Sequence, residues 1–139
     1  MAGKSSLDKG KRAEREIVKL LQPVVTRVYQ AAGKELISLE RNLTQSHKGG
    51  YDIAGLDWLA PEVKHHETLQ VSSWWLQTVR QAGKDRVPVL FYRQSRRAWS
   101  VRLRVSLKLS KSVITMPGEI SMEAFIIWFE KRLTEEVMR

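Results

Sequence analysis

Between residues 51 and 65 the chain holds two short segments of β character separated only by Asp57-Trp58, and that spacing limits what can be built around them. The first, residues 51–56, is entered through the turn-forming Lys48-Gly49-Gly50. The second, residues 59–65, carries Pro61 near its start, where a strand tolerates a missing N–H. So short a link predicts that the two pair antiparallel. Successive side chains in a strand point to opposite faces. Glu62 and Lys64 therefore share a face, Val63 points the other way into a core, and Asp52 can lie across from Glu62.

The rest of the chain supplies layers to cover this unit. Ser6 or Asp8 can cap a first helix whose Ala13, Ile17, Leu20, Leu21 and Val24 form one apolar stripe. Pro23 should kink or end it, with a restart over residues 24–32 and a stop at Gly33. Residues 35–40 read as a strand. Ser72 or Ser73 can cap a helix over 74–82, stopped by Gly83. Residues 87–92 read as a buried strand. Residues 98–103 alternate Trp99, Val101 and Leu103 with Ser100 and Arg102, a pattern that Val105, Leu107 and Leu109 continue. Residues 113–116 form another short strand. Ser121 caps a last helix with Ala124, Phe125, Trp128, Phe129 and Leu133 on its apolar face. Helix, three strands, helix, strands and helix describe an α/β chain with a mixed central β-sheet flanked by helices, and 139 residues suffice for a single domain.

The face shared by Asp52, Glu62 and Lys64 is where the chemistry lies. Two carboxylates at one point resist ionising together, and a divalent cation resolves that conflict. Hard oxygen donors suit Mg²⁺, and Mn²⁺ in its place. A metal so placed can lower the pKa of a water and oppose charge at a phosphate, which suits phosphodiester hydrolysis. Lys64 either orients the water or holds the phosphate. Glu-x-Lys alone is a weak signal, since in most strands it is a solvated edge pair. Here it follows Gly-Gly-x-Asp, and the first helix brings further carboxylates, Glu14 and Glu16. On a helical wheel both flank the buried stripe, and geometry favours Glu14 only slightly. The plain reading of Glu16 is a surface neighbour of Arg12 or Leu20.

Lys9-Gly10-x-x-Ala13-Glu14-Arg15-Glu16, Gly50-Tyr51-Asp52-Ile53, Glu62-Val63-Lys64 and the helix followed by Pro88-Val89-Leu90 together resemble the PD-(D/E)xK nuclease superfamily, and within it the archaeal-type and phage Holliday junction resolvases. The resemblance covers residues 9–93 as a catalytic core and leaves 94–139 as a C-terminal extension of strands and a helix. It implies a restriction-endonuclease-like fold and a homodimer that nicks opposing strands of a four-way junction, leaving 5′-phosphate and 3′-hydroxyl ends. By that match Glu14, rather than Glu16, joins Asp52 and Glu62 as metal ligands, the Val63 carbonyl completes the shell, and Lys64 is the catalytic lysine. The resolvase loop ahead of the aspartate often offers a hydroxyl, a place that Ser46 fills here without matching the usual spacing. In related nucleases a glutamine on the following helix helps hold water or phosphate, and Gln77 stands there; a solvated helix residue explains it equally well.

Charge agrees with a nucleic-acid partner. The net charge is +9, and no acidic residue falls between Asp85 and Glu119. Lys9, Lys11, Arg12, Arg15, Arg41, Lys48, Arg93, Arg96 and Arg97 are the expected phosphate contacts. His65-His66 makes a poor chelating pair, because neighbours in a strand point apart. Trp58, Trp74 and Trp75 read as core or interface rather than as base-stacking platforms. No cysteine is present, so disulfides and thiolate sites are excluded. No apolar run approaches a bilayer span, and the N-terminus lacks a signal-type apolar core. The expectation is a phage-encoded protein acting in the cytoplasm of a bacterial or archaeal host on branched double-stranded DNA, with no membrane and no small-molecule substrate.

Overall fold

The computed structural model describes residues 2–43 and 50–139, with the backbone alone for residues 2–6. The elements run α1 (Ala2–Ala31), β1 (Glu40–Arg41), β2 (Ile53–Ala54), β3 (Leu59–His65), α2 (Val71–Ala82), β4 (Val87–Arg93), β5 (Ser100–Lys108), β6 (Val113–Ser121) and α3 (Met122–Val137). A four-stranded sheet has the order β3-β4-β5-β6, with β1 and β2 as a separate antiparallel pair. β3 and β4 run parallel, joined by the α2 crossover, while β5 and β6 pair antiparallel to what precedes them. The expected mixed α/β sheet flanked by helices is what forms.

Alternation along the strands divides the core in two. Val63, Val89, Phe91, Val101 and Leu103 pack with Ile17, Leu21, Val25 and Val28 of α1 and with Phe125, Phe129 and Leu133 of α3. On the other face Leu90 and Tyr92 meet Trp74 and Trp75 of α2. Trp58, Trp74 and Trp75 are all buried, as the sequence indicates. Phe125 sits edge-on to Phe91 at 5.0 Å and stacks on Phe129 at 5.6 Å, so α3 completes the core of its own chain.

Several local expectations give way to tertiary contacts. Pro23 neither ends α1 nor forces a restart. Its ring lies on the exposed side, and the buried Leu21, Val24, Val25 and Val28 around it hold the helix to the sheet. The lost hydrogen bond costs about 3 kcal/mol, less than that packing returns. The expected strand at 35–40 shrinks to Glu40–Arg41. Gln22 of α1 accounts for the difference, accepting from the Leu39 N–H at 2.7 Å and donating to the Ile37 carbonyl at 3.0 Å. The hairpin expected between residues 51–56 and 59–65 does not form. β2 pairs with β1 instead, through Glu40↔Ala54 and Arg41↔Ile53, and β3 takes β4 as its ladder partner. Arg86 explains the open link, because its guanidinium donates to the Leu56 and Leu59 carbonyls, both at 2.9 Å. Gly55, at φ +136°, lies so close to Leu39 that a Cβ there would come within 2.9 Å of the leucine.

α2 starts before the expected serines. Its N-cap is Gln70, and Ser72 and Ser73 are exposed in the first turn. Gly83 stops it with φ +61°. β5 and β6 form one long hairpin, with β6 extending well past Met116; Pro117 is tolerated because β6 is the sheet edge. Ser121 caps α3 as expected, its Oγ accepting from the Ala124 N–H at 3.1 Å.

Candidate active site

β3 builds the site from its outer edge. The ladder to β4 occupies one edge of β3; the Pro61 carbonyl and the Val63 N–H point to the other. That free edge is met by the segment leading into β2. The Asp52 N–H donates to the Pro61 carbonyl at 2.8 Å, and the Asn42 N–H donates to the Asp52 carbonyl at 2.8 Å. The Asn42 side chain also donates to the Tyr51 carbonyl at 2.9 Å. These bonds hold Asp52 against β3 without a hairpin. Asp52 Oδ2 then accepts from the Val63 N–H at 2.7 Å. N–H and C=O of one strand residue point to the same edge, so the Val63 carbonyl faces this side as well.

Asp52 and Glu62 are only 5% and 3% exposed, and their carboxyls share a hydrogen bond. Burial, reinforced by the neighbouring Asp52 carboxylate, pushes Glu62 up to about 9. Burial also raises Asp52, to about 6, although the Val63 N–H and the shared hydrogen bond work against it. Near neutral pH the pair therefore retains one proton. Lys64 Nζ is 3.6 Å from Glu62 Oε1, a distance at which it opposes this shift without reversing it. Glu62 Oε2 is buried and, among the described residues, has no hydrogen-bond partner. A hard cation suits that orphaned oxygen and the crowded carboxylates beside it.

The pair opens onto a polar cleft of about 480 Å³, lined also by Lys9, Gly10, Glu14, Val63, Lys64, His65, His66, Glu67 and Gln77. Glu14 reaches it from α1, where Arg41 Nε donates to its Oε1 at 2.7 Å. The structure thus brings Glu14, Asp52, Glu62, Val63, Lys64 and Gln77 to one cleft. Among the described residues, however, no group of three or more His, Cys, Asp or Glu side chains is gathered to hold a metal ion. The close pair is Asp52 with Glu62, and Glu14 stands as a wall of the cleft tied to Arg41.

The basic residues fare unevenly. Lys11, Arg12 and Arg15 are exposed on α1, and Arg96 and Arg97 on the turn after β4, where Arg96 adopts φ +64°. Lys9 lines the cleft but is paired with Glu67 at 3.0 Å. Arg41 is committed to Glu14. Arg93 lies 3.4 Å from Glu16 and over the Trp99 ring, so it braces the fold. Ser46 and Lys48 lie outside the described residues.

The sequence missed two carboxylate roles. Glu16 is no mere surface neighbour: its Oε1 accepts from Trp99 Nε1 at 2.9 Å as well as facing Arg93, and so ties α1 to the sheet. Glu67 accepts from the Ser95 hydroxyl, from Lys9 and from the Ser95 N–H, which together hold its carboxyl down to about 2. It joins α1 to the turn carrying Arg96 and Arg97 across the rim of the cleft. Both partners lie far along the chain, and only the absence of acids after Asp85 hinted that the basic turn would look elsewhere for counter-charge. His65 and His66 diverge as expected, one 3.2 Å from Ser95 Oγ and the other against the Trp74 ring at 5.2 Å.

A buried Asp…Glu-x-Lys set on a strand edge, with a helix carboxylate across the cleft, is an arrangement that a family comparison can test. No curated protein and no solved structure matches the chain. The model of the family described as "Phage putative PDDEXK endonuclease" matches residues 5–139. That match takes in the C-terminal strands and α3 together with the cleft, and the chain belongs to this phage endonuclease family of the PD-(D/E)xK nuclease superfamily.

Proposed function

We propose that this protein is a structure-selective endonuclease that cuts branched double-stranded DNA, specifically four-way Holliday junctions, by paired phosphodiester hydrolysis as a homodimer. The observation that carries the catalytic part is the buried Asp52–Glu62 pair with its orphaned Oε2, set beside Lys64 in a polar cleft. The junction and the dimer rest on the resemblance of the Lys9–Glu16 helix motif to the resolvases, and on the match between a two-fold protein and a two-fold junction.

In this reading Asp52, Glu62 and the Val63 carbonyl hold Mg²⁺, or Mn²⁺ in its place. Glu14, which stands on the wall of the cleft in its ion pair with Arg41, would be the third carboxylate ligand. The cation supplies Lewis acidity, lowering the pKa of a water and opposing the charge that builds at phosphorus. The Val63 N–H holds the Asp52 carboxyl beside Glu62 at the cleft. Lys64, largely enclosed and 3.6 Å from Glu62 Oε1, would orient the attacking water or the scissile phosphate. Gln77 faces the same space from α2 and is placed to hold water or a phosphate oxygen. Lys11, Arg12, Arg15, Arg96 and Arg97 flank the cleft as exposed phosphate contacts. The setting is the cytoplasm of a phage-infected host cell.

The same site on another substrate would make the protein a repair, end-processing or restriction nuclease. The test is cleavage of end-labelled DNA in Mg²⁺, comparing an immobile four-way junction with linear duplex, single strand and flap, and with Asp52→Asn as the control for contamination. Paired symmetric nicks confined to the junction are expected. Cutting of flaps or linear DNA instead would keep the site and replace the substrate. Binding without cleavage of any substrate would overturn the catalytic reading.

A further inference from the structure

The β5–β6 hairpin outruns the sheet that carries it. β4 opposes β5 only at Tyr92↔Ser100, Phe91↔Val101 and Leu90↔Arg102. β5 and β6 continue to pair as far as Lys108↔Val113. The ladder to β4 ends at Arg102, but Leu103 is still buried and Val105 packs against the core; from Ser106 outward the hairpin is, among the described residues, a two-stranded arm, an arrangement that is only marginally stable on its own. Its two faces differ. Val105, Leu107, Ile114 and Met116 alternate onto the α3 side, and Leu107 and Ile114 are half exposed. Arg104, Ser106 and Lys108 point to the other side, with Thr115 hydrogen-bonded to Ser106 at 3.1 Å and Lys111 in the turn.

The register places that basic face with the active site. Glu62, Leu90 and Arg102 form one row across β3, β4 and β5, so Arg104 and Lys108 belong to the same face of the sheet as Glu62 and Lys64. Arg104, Lys108 and Lys111 are exposed, and among the described residues none of them is in an ion pair. The cations nearest the cleft are not so free: Lys9, Arg41 and Arg93 each face a glutamate. Unneutralised charge held on a projecting ribbon calls for a polyanion.

We infer that the basic face of the β5–β6 arm is a second DNA contact, gripping phosphates away from the cut through Arg104, Lys108 and Lys111. The inference rests on the DNA-cleaving reading above and extends its footprint. Lys108 lies six residues past Arg102, about 20 Å along the strand and the equivalent of about six base pairs of duplex. A second copy of the chain is the lesser candidate for this face, because it would bring the same positive charges together.

The experiment measures metal-free binding to a junction with arms of about 15 base pairs by fluorescence anisotropy, from about 50 to about 200 mM salt. The triple variant Arg104→Gln/Lys108→Gln/Lys111→Gln is compared with Lys19→Gln/Lys34→Gln/Lys84→Gln, which removes the same charge from exposed positions elsewhere. All six positions are exposed, so both variants should melt as the wild type does. The arm variant is expected to bind at least about tenfold more weakly at the lower salt, with a slope of log Kd against log salt smaller by about three. The control triple should change both far less. Equal effects of the two triples would reduce the arm to bulk charge and overturn the inference. So would unchanged DNA binding by the arm variant with a shift in its sedimenting mass, which would assign the arm to a second copy. Failure of the wild type to bind DNA at all would instead remove the functional reading on which the inference stands.

Discussion

The outer edge of β3 and the tip of the β5–β6 hairpin are both ends of the same sheet, yet they treat polar and apolar groups in opposite ways. Beside β3 the chain buries two carboxyls together: Asp52 and Glu62 are almost wholly enclosed, and among the described residues one Glu62 oxygen has no hydrogen-bond partner. At the hairpin it exposes Leu107, Leu109 and Val113 to solvent, each at least half uncovered. A fold built for stability alone would do neither. Burial and chemistry disagree at both ends, through crowded carboxyls at one and uncovered apolar side chains at the other.

The sharpest way to break this comparison is to remove the polar half of it. Asp52→Asn, Glu62→Gln and Lys64→Ala should each lower cleavage by about a thousandfold or more, because groups that act as a unit fail together. Metal-free DNA binding should persist. Single-turnover cleavage beside an anisotropy titration reads both. Near-normal cleavage by Asp52→Asn or Glu62→Gln would show that the buried pair is structural, and by Lys64→Ala that the lysine takes no part in the reaction.

A second measurement asks what the burial costs. Glu62 is held up to about 9 and Asp52 to about 6, chiefly by desolvation. Between the ordinary carboxylate range and about 9 the folded protein therefore binds more protons than the unfolded chain. Stability is then highest at low pH within that window and falls as pH rises through the raised values. Without divalent cation, wild type minus Glu62→Gln should fall by roughly 5 kcal/mol at most between pH 5 and pH 9, with the wild type losing ground. Mg²⁺ should flatten the difference by taking the place of the proton. A pH-independent difference in urea unfolding would mean that the carboxyls are solvated in the native protein.

What the sequence disclosed follows the same division. Glu62, Val63 and Lys64 were legible because a strand's period of two is local, and so was the Ser121 cap. The partners of those residues were not. Nothing in residues 51–65 says that Arg86 will absorb the Leu56 and Leu59 carbonyls and so prevent the hairpin. Nothing around residues 35–40 says that Gln22 will claim the Leu39 N–H. Asp52 reaches Glu62 by a route other than the one its spacing suggested, through a bond to the β3 edge and not a ladder. Glu14 was separated from Glu16 by resemblance; the structure adds a physical difference, since Glu14 faces the cleft while Glu16 serves Trp99 and Arg93. Arg41 and Arg93 were read as phosphate contacts because charge is visible in sequence and ion pairing across the fold is not.

The smallest expected effect lies at the apolar end, and it tests whether the hairpin tip belongs to the core at all. Phe125 is fully buried between Phe91 and Phe129, so Phe125→Ala should destabilise the chain by about 3–5 kcal/mol. Leu107 and Ile114 face each other across the arm, about half in solvent, and among the described residues no third strand pairs beside them. Leu107→Ser and Ile114→Ser should each cost less than about 0.5 kcal/mol in chemical unfolding of dilute protein. The contrast depends on the arm contributing little to the folding of a single chain. A loss near that of Phe125→Ala would mean that these leucine and isoleucine side chains are covered in solution. If the loss grew with protein concentration, the cover would be a second copy, since stability linked to association depends on concentration. A small loss at every concentration would leave the apolar face open in the free protein and make the arm an element ordered by what it binds.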